Sequence, residues 1–399
     1  MQIYLDYSAT TPPRSEVITK VNEVMTQQWG NPSSLHLWGQ RAAMAIETAR
    51  VQVAHLINAA DPESIIFTSG GTEADNLAIF GIARRYQTPQ HIIISTVEHP
   101  AIAEPVRQLE QEGWQITRLP VNRQGRINPL DLSAAIQPNT VLVSIIYGQS
   151  EVGTVQPMEE LAKIAHYHGI LLHTDAVQAA GRLSVDVQQL NVDLLSLSAH
   201  KIYGVQGAGA LYLRPGIKLM PLLGGGGQEG KLRSGTQAVP IIAGFGVAAE
   251  LAAEERERET PRLIGLRDRL FDLMADCPYL VPTGDRLYRL PHHVSFAIAS
   301  PCDYLHPEMI TGKTIVRQLN LAGIAISSGS ACHSGKLSPS PVLLGMGYSE
   351  KEALGGIRLT LGRHTTEADI DWTGMVLKQV LERLMPKLAT VRDCLVNKF

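Results

Sequence analysis

Short β-branched runs alternate with amphipathic segments between about residues 60 and 215. We interpret six of the runs as buried strands: SIIF (64–67), HIIIST (91–96), TVLVSII (140–146), GILLHTD (169–175), DLLSLS (193–198) and GALYL (209–213). The segments between them, among them 72–86, 99–112 and 157–168, carry apolar residues at three- and four-residue spacing. Since strands that alternate with helices need crossover connections, the pattern predicts an α/β fold with a mostly parallel sheet covered on both faces.

A second, smaller unit is predicted towards the end of the chain. Its strands and closing helix are expected at HHVSFAI (292–298), GIAISS (323–328), GIRLTLG (356–362) and 366–385. A long helical stretch (240–276) precedes this unit, and we place the domain boundary inside that stretch, near 255–262. The prediction is a large domain formed by 16–261 and a smaller α+β domain formed by 1–15 together with 262–399.

The composition predicts an ordered protein without a nucleic-acid partner. Of 399 residues, 44% are hydrophobic and 18% are charged, so the chain can bury a large core. Lysine plus arginine (35) nearly balances aspartate plus glutamate (38), and a net charge of -3 offers no basic surface for a polyanion. The four cysteines have no CxxC spacing, which disfavours a metal site or a disulfide framework and favours free thiols in a reducing cytoplasm.

We expect neither a targeting signal nor a membrane span. The first residues, MQIYLDYSATTPP, lack a basic segment followed by an apolar one, so the sequence shows no secretory signal. The longest apolar region, 239–253, is interrupted by Gly244, Gly246 and Glu250 and cannot span a bilayer. The sequence therefore predicts a cytoplasmic protein without a membrane partner.

Two glycine motifs lack the context of a nucleotide site. GKT (312–314) is preceded by Pro307 where a phosphate-binding P-loop needs glycine, so the backbone cannot wrap a phosphate. GGGGQEG (224–230) has the spacing of a dinucleotide fingerprint, but it does not link a strand to a helix. We interpret it as a flexible loop, with a nicotinamide enzyme as the weaker alternative.

Polar motifs follow several predicted strands, where an open parallel sheet binds its ligands. TSGGTEADN (68–76) has small residues and a threonine at a helix start, which suits either a phosphate or an ordinary N-capping loop. The aspartate of HTDAVQ (173–178) is either a partner for a protonated ring nitrogen or an N-cap. The lysine of SLSAHKIYG (196–204) follows a buried strand and fits either an imine with an aldehyde cofactor or an ordinary lysine that reaches water.

Two further motifs add a phosphate contact and a thiol. RSGT (233–236) follows the glycine-rich loop and offers a second contact for a phosphate. Cys332 lies in SSGSACHSGK (327–336), among small and polar residues. This setting favours an accessible, reactive thiol over the buried, inert cysteine that is the usual alternative.

Together the motifs resemble one enzyme family. The chain is similar to cysteine desulfurases of the NifS/IscS type, which are class V aminotransferases among the fold-type I pyridoxal 5'-phosphate (PLP) enzymes. The resemblance extends from Tyr4 to about residue 385, in the family's order: YLDYSATTP (4–12), GNPSSLH (30–36), FTSGGTEADNLAI (67–79), EH (98–99), HTDAVQ, SAHKIYG, RSGT and SSGSAC. The long interval between Cys332 and Arg358 resembles the group with a long mobile cysteine loop.

The resemblance implies PLP as the cofactor and assigns residues to it. Lys201 holds PLP as a Schiff base and later moves the substrate Cα proton. Asp175 keeps the pyridine nitrogen protonated, Gln178 meets the ring hydroxyl, and His99 stacks on the ring and transfers protons. The phosphate is held by the following residues, the last of them from the other subunit of a homodimer: Gly71, Thr72, Ser198, His200 and Thr236.

The resemblance also implies the substrate, L-cysteine, and the sulfur chemistry. Arg358 binds the substrate carboxylate as a bidentate fork, with help from Asn31. Cys332, as a thiolate, attacks the substrate sulfur and becomes a persulfide while alanine is formed. We expect the loop from about Gly329 to Pro341 to be an arm that carries this sulfur to an acceptor protein such as an iron–sulfur scaffold.

The chain departs from the family pattern at two points. QSEVG (149–153) stands where relatives usually have NNEIG, so Ser150 replaces an asparagine near the cofactor and reaches it only through water. The chain ends at Phe399 without the longer tail that docks a scaffold protein in some relatives. The resemblance therefore implies desulfuration more directly than delivery to a scaffold.

The sequence as a whole predicts a cytoplasmic, homodimeric PLP enzyme that takes sulfur from L-cysteine for iron–sulfur cluster assembly or other transfer pathways. The alternatives are an aminotransferase, C–S lyase or selenocysteine lyase of the same fold, and a catalytically silent scaffold paralogue. Cys332 disfavours an aminotransferase or a lyase that releases free sulfide, since neither needs a nucleophilic thiol. The presence of Lys201 and Asp175 disfavours a silent paralogue.

Overall fold

The computed structural model describes residues 2–298, 310–329 and 338–385. Within them the strands are β1 (Ile3–Tyr4), β2 (Ile65–Thr68), β3 (His91–Ser95), β4 (Gln115–Leu119), β5 (Thr140–Ile146), β6 (Leu171–Asp175), β7 (Leu194–Ser198), β8 (Gly209–Leu213), β9 (Leu280–Pro282), β10 (His293–Ile298), β11 (Ile324–Ala325), β12 (Ser327–Ser328) and β13 (Ile357–Thr360).

The α-helices of the same residues follow in chain order. They are α1 (Ser15–Gln27), α2 (Leu37–Leu56), α3 (Gly71–Ala83), α4 (Pro100–Gln111), α5 (Pro129–Ala135), α6 (Met158–Tyr167), α7 (Val187–Leu190), α8 (Val239–Leu273), α9 (Gly312–Leu321), α10 (Pro341–Gly345), α11 (Glu350–Leu354) and α12 (Glu367–Leu384). None of the described helices has the length and apolar content that a membrane span requires.

Seven strands of the described chain form the central sheet, in the order β2-β8-β7-β6-β5-β3-β4. The strands from β7 to β4 are parallel to their neighbours, whereas β8 is antiparallel to both β2 and β7. The predicted α/β fold with a mostly parallel sheet is therefore confirmed. β4 is missing from the prediction because its sequence, QITRL, is a partly exposed edge strand with polar side chains.

Helices cover the central sheet on both faces. Ile93 of β3 packs into a cluster that includes residues of α1, α2 and α8, whereas Ile92 and Ile94 pack into a cluster with residues of α3 and α4. Successive side chains of a strand point to opposite faces, so a strand covered on both sides needs an unbroken apolar run. This burial explains why the runs read from the sequence contain so little polar alternation.

A second sheet has the order β12-β13-β10-β9 and is antiparallel, while β1 pairs in parallel with β11. The single strand predicted at 323–328 is divided in two, because Ile324 pairs with β1 whereas Ser327 pairs with β13. Ile3 and Leu5, near the beginning of the chain, join the hydrophobic cluster of this region. The N-terminal segment thus packs with strands from the end of the chain.

Helix α8 runs through the predicted boundary at 255–262 as one element of 35 residues. Its buried side chains change partners along the way. Ala249 belongs to the cluster under the central sheet, and Leu263 belongs to the cluster of the second sheet. The exact division into domains stays a prediction.

Candidate active site

A cavity of about 350 Å³ opens where β6 and β7 end. Ten of the predicted site residues line it: Gly71, Thr72, His99, Ser150, Asp175, Gln178, Ser198, His200, Lys201 and Arg358. They come from segments that are far apart in the chain. The carboxyl ends of parallel strands meet at one edge of a sheet, which is why motifs that follow different strands converge there.

Lys201 ends a short 3₁₀ turn, Ala199–Lys201, that directly follows β7. Its ammonium group donates to the backbone oxygens of Ser8, at 2.6 Å, and Ala9, at 2.9 Å. Burial, together with the nearby Arg358 guanidinium, lowers the pKa of Lys201 to about 8. About a tenth of the Lys201 side chains are therefore neutral amines at pH 7, far more than for an ordinary lysine.

Asp175 is the last residue of β6 and is buried. Its Oδ1 accepts a hydrogen bond of 2.9 Å from the backbone N–H of Val177. Burial raises the pKa of Asp175, while His99, the Val177 N–H and Lys201 act in the opposite direction. The carboxylate thus lies beside cationic or proton-donating groups at the bottom of the cavity.

His99 caps the N-terminus of α4, where its Nδ1 accepts a hydrogen bond of 3.1 Å from the backbone N–H of Ala101. A neutral ring that accepts at Nδ1 carries its proton on Nε2. Burial lowers the pKa of His99, Asp175 opposes that change, and Lys201 adds to it. The ring is therefore a neutral donor at the cavity wall.

One wall of the cavity has the chemistry of a phosphate site. Gly71 and Thr72 form the first turn of α3, whose N–H groups have no partner within the helix. Ser198 and His200 lie beside them at the end of β7. A Cβ atom built on Gly71 would lie 2.8 Å from Val177 Cγ2, so a larger residue here would displace Val177, which also lines the cavity.

Arg358 reaches the cavity from β13 of the second sheet. Its Nη1 donates to the backbone oxygen of Ser150 at 2.9 Å, and its Nη2 donates to Asp6 Oδ1 at 2.8 Å. The Nε atom is buried and has no hydrogen-bond partner among the described residues. Asp6 and Ser150 together fix the plane of the guanidinium at the mouth of the cavity.

Gln178 and Ser150 make contacts that the sequence does not reveal. Gln178 Nε2 donates to the backbone oxygen of Ser8 at 2.9 Å, the same oxygen that accepts from Lys201. The backbone oxygen of Ser150 lies 3.1 Å from His293 Nε2, in addition to its bond with Arg358. The backbone at Ser150, rather than its side chain, therefore helps to hold Arg358.

Three predicted residues are not brought to the cavity by the described chain. Asn31 is exposed, and its Oδ1 accepts from the N–H of Ser33 at 3.0 Å in a local turn. Thr236 is exposed and does not line the cavity of its own protomer. Cys332, and with it most of the predicted arm from Gly329 to Pro341, lies outside the described residues.

Three further residues contribute to the site without being among those predicted from the sequence. Ser8 acts through a backbone oxygen, for which a sequence carries no signal. Asp6 contacts Arg358 across 352 positions of the chain, a distance that no local pattern spans. Asp75 lines the cavity and is 1% exposed; an aspartate inside the apolar helix segment ADNLAI is a signal that could have revealed it.

The aminotransferase class-V family model matches residues 3–372, nearly the whole described chain. The chain belongs to the class-V aminotransferase family. Its relatives include a protein named cysteine desulfurase IscS from Dictyoglomus turgidum, 44% identical over 401 residues that cover 100% of this chain and 99% of the relative. A cysteine desulfurase IscS from Methanosarcina thermophila is 43% identical over 383 residues, which cover 96% of this chain and 92% of the relative.

Solved structures of NifS-like proteins share the fold. A NifS-like protein superimposes with a TM-score of 0.87 and 32% identity, over 96% of this chain and 100% of that chain. A NifS-like protein from Rickettsia africae superimposes with a TM-score of 0.85 and 30% identity, also over 96% of this chain and 100% of its own. The predicted fold-type I architecture is confirmed.

PLP is the cofactor of this family, and the residues of the cavity fit it. Lys201 offers an amine with a lowered pKa, and buried Asp175 offers a carboxylate for the ring nitrogen. The wall beside Gly71 offers helix N–H groups and hydroxyls for a phosphate, and no side chain of the described residues fills that space. The donor set matches the aldehyde, the ring nitrogen and the phosphate of one molecule.

Proposed function

We propose that the protein is a PLP-dependent cysteine desulfurase, a sulfurtransferase that converts L-cysteine to L-alanine and transfers the sulfur to Cys332 as a persulfide. One observation carries this proposal. Lys201, Asp175, His99 and Arg358 line a single cavity, in a chain that is 44% identical over its full length to a protein named cysteine desulfurase. This set combines a proton carrier and a carboxylate-binding group with the residues that fit PLP.

Bound PLP supplies an electron sink that makes the substrate Cα proton acidic. Lys201 would hold the cofactor through Nζ and, once released as a free amine, would take that proton from Cα, and both roles need a neutral amine. The pKa of about 8 makes this form accessible near neutral pH. Backbone oxygens of Ser8 and Ala9 hold the amine while it is not engaged.

Arg358 binds the carboxylate of L-cysteine. Its guanidinium is already oriented by Asp6 and by the backbone oxygen of Ser150, so little side-chain entropy is lost when substrate binds. The substrate thiol group is thereby held in a fixed direction from the cofactor.

Cys332 then acts as the nucleophile. Its thiolate attacks the substrate sulfur, a sulfur–sulfur bond forms, and the carbon–sulfur bond breaks with its electron pair left on Cβ. Protonation of Cβ gives the methyl group of alanine, and His99 Nε2 is the proton donor at the cavity wall. The segment from Gly329 to Pro341 carries the persulfide to an acceptor such as an iron–sulfur scaffold protein.

We further propose that the active form is a cytoplasmic homodimer in which Thr236 completes the phosphate site of the partner subunit. Exposed apolar side chains repeat every seven residues on α2, at Leu37, Met44 and Val51, and so lie along one face of the helix. Ile18 and Met25 repeat in the same way on α1. Such stripes are typical of surfaces that a second copy of the chain covers.

The central experiment uses purified holoenzyme and L-cysteine. We expect a change in the visible absorbance of the cofactor, formation of alanine, and one extra sulfur atom on Cys332 by mass spectrometry. Cys332→Ser should retain the cofactor and the spectral response but accumulate no persulfide, while the matched control Cys277→Ser should behave as wild type. Cys277 is buried, so it is not available to a substrate. Alanine and free sulfide formed at the wild-type rate by Cys332→Ser would indicate a C–S lyase instead.

The dimer is tested separately by charge substitution in the apolar stripe. Met44→Glu should give a monomer in sedimentation and should weaken cofactor retention, because Thr236 would no longer reach a partner. Leu130→Glu is the control, since Leu130 is also an exposed apolar side chain, at 73%, but lies on α5. A Met44→Glu protein that remains a dimer would contradict the assignment of this face.

A further inference from the structure

Asp75 is a buried acid in the cavity to which neither the sequence analysis nor the proposed mechanism gives a role. It lies on α3, one turn after Gly71, and only 1% of it is exposed. Its Oδ1 has no hydrogen-bond partner among the described residues. A carboxyl group left in this state is costly if ionised, so its protonation needs a physical explanation.

Asp75 lies next to a second buried carboxyl group. Side-chain ligand atoms of Asp75, Asp175 and His99 all fall within 4.8 Å of one another. Two buried carboxylates this close cannot both ionise without a large energetic cost, so one of them keeps a proton. The neighbours of each acid decide which one does.

Asp175 has the neighbours that favour a negative charge. It accepts the Val177 N–H, and both His99 and Lys201 lower its pKa. Asp75 has only one such group among those that affect it, the hydroxyl of Ser196, and no neighbouring cation among them. Burial raises the pKa of Asp75 well above its ordinary value, Asp175 raises it further, and the Ser196 hydroxyl opposes them.

The remaining titratable groups around Asp75 do not supply a positive charge. Asp75 Oδ1 lies 3.7 Å from His173 Nε2 on β6, but both ring nitrogens of His173 are occupied by the hydroxyls of Ser144 and Ser196. Burial lowers the pKa of His173 to about 3, so this ring is neutral. Glu98, before α4, adds a smaller repulsion that also favours protonated Asp75.

We propose that Asp75 is a positioning residue that holds a proton and thereby leaves Asp175 as the ionised member of the pair, facing the ring nitrogen of the cofactor. The proposal rests on the role proposed for Asp175. The two acids have opposite protonation states because their neighbours differ, although they share one cavity. Loss of Asp175 should then lower the pKa of Asp75, because the repulsion between them disappears.

The test is an infrared difference spectrum of the cofactor-free protein at pH 7, wild type minus Asp75→Asn. We expect the variant to lose the carbonyl band of a protonated carboxylic acid. The matched control is Glu73→Gln on the same helix, since Glu73 forms an ion pair of 2.8 Å with Arg233 and its pKa is lowered. That variant should lose a carboxylate band. Loss of a carboxylate band in Asp75→Asn as well would overturn the proposal.

A second arm measures the coupling. In Asp175→Asn, the carbonyl band assigned to Asp75 should titrate at lower pH than in wild type, with at least about a tenfold larger ionisation constant. A merely structural role for Asp75 would leave that titration unchanged. If Asp75→Asn does not fold, the smaller neutral variant Asp75→Ser replaces it in both arms.

Neither arm needs catalysis, so the outcome is independent of whether the protein desulfurates cysteine. A divalent ion found at full occupancy in the purified cofactor-free protein, and lost in Asp75→Asn, would also overturn the proposal. Asp75, His99 and Asp175 would then be ligands, and a ligating carboxyl group is ionised.

Discussion

Charged groups are buried both between α2 and the glycine-rich loop and at the carboxyl ends of β6 and β7. In the first region, Arg50 donates to Glu229 through Nη1 at 2.8 Å and Nη2 at 3.0 Å. Glu229 also accepts from the Phe67 N–H and from Gln237 Nε2, each at 2.8 Å. The pKa of Glu229 is lowered by these partners despite its burial.

In the second region the buried groups are not matched in this way. Asp75 Oδ1, Glu151 Oε1 and Arg358 Nε have no hydrogen-bond partner among the described residues. Burial raises the pKa of Glu151 to about 7, and it raises the pKa of Glu98 to about 8 although Glu98 accepts from the Ile146 N–H and from Ser95. Unfavourable groups persist in a folded protein when a ligand or a reaction uses them, and satisfied pairs persist as structure.

The two regions therefore use buried charge differently, one for structure and the other for ligand binding and chemistry. The Arg50–Glu229 pair fixes the glycine-rich loop, and with it the segment that ends at Thr236, onto β2. The groups around Lys201 remain available for the cofactor and substrate. Substitutions in the first region should therefore change stability, whereas substitutions in the second should change chemistry.

The largest effect is expected for Lys201→Ala. The variant should lose the borohydride-trapped cofactor–protein adduct and at least about 10³-fold of alanine formation, since proton transfer alone contributes about 10²–10⁴-fold. The stability of the cofactor-free protein should not fall, because a buried amine with a lowered pKa is removed. Lys163→Ala, at an exposed lysine of α6, is the control. An adduct still trapped in Lys201→Ala would show that another lysine binds the cofactor.

The next effect is expected for Glu229→Gln, which leaves Arg50 buried without a counter-charge. Breaking a buried pair costs about 3–5 kcal/mol, and urea unfolding should show that loss. The double variant Arg50→Met/Glu229→Leu should recover much of it, because both charges are then removed. The control is Glu104→Gln, which removes an exposed pair with Arg107 and should cost at most about 1 kcal/mol. Equal losses in the two single variants would show that the buried Arg50–Glu229 pair contributes no more to stability than an exposed pair.

Much of the fold could be predicted from the sequence because the strands are buried on both faces. Runs such as HIIIST and TVLVSII have no polar alternation and stand out against their flanks. The antiparallel orientation of β8 could not be predicted from the sequence. The direction of a strand depends on the path of the connection that precedes it and not on the residues of the strand. β4 was missed because an edge strand needs no continuous apolar run.

The site was predictable where residues follow strands and unpredictable where they do not. Asp175 is the last residue of β6 and Lys201 comes just after β7, so the sheet itself places them at one edge. Asp6 meets Arg358 only through the packing of the N-terminal segment on the second sheet. Burial distinguishes Asp75 from any other helical aspartate, and a sequence does not state burial.

A third prediction concerns the pH dependence of cofactor attachment. Attachment needs the neutral amine of Lys201, whose pKa is about 8. The rate of reconstitution from cofactor-free protein and PLP should rise about tenfold for each pH unit below that value and level off above it. Arg358→Gln should move the midpoint upward, because the nearby guanidinium is one cause of the lowered pKa. A rate independent of pH between 6 and 8 would contradict the assignment.

The smallest expected effect is on the pH dependence of the free energy of unfolding, which should differ between the two regions. Glu151 has a pKa of about 7 in the folded protein and 4.5 as the ordinary value, so between these values the folded state binds the proton more tightly. Unfolding then releases a proton, and stability falls as pH rises, by at most about 1.4 kcal/mol per pH unit. Glu151→Gln cannot titrate and should lack this part of the slope. Urea unfolding of cofactor-free protein from pH 5.5 to 7 measures it.

Glu229→Gln provides the opposite case in the same experiment. A carboxyl group whose pKa is lowered contributes stability above its ordinary pKa and loses it only when the pH falls through the folded value. From pH 5.5 to 7, the free energy of unfolding of Glu229→Gln should therefore differ from that of wild type by a constant amount. The difference between Glu151→Gln and wild type should instead change with pH. Glu98 is present in all three proteins, so its own titration cancels in the comparison. Parallel curves for Glu151→Gln would mean that Glu151 is ionised in the fold, and that the unmatched acid beside Arg358 is in fact paired.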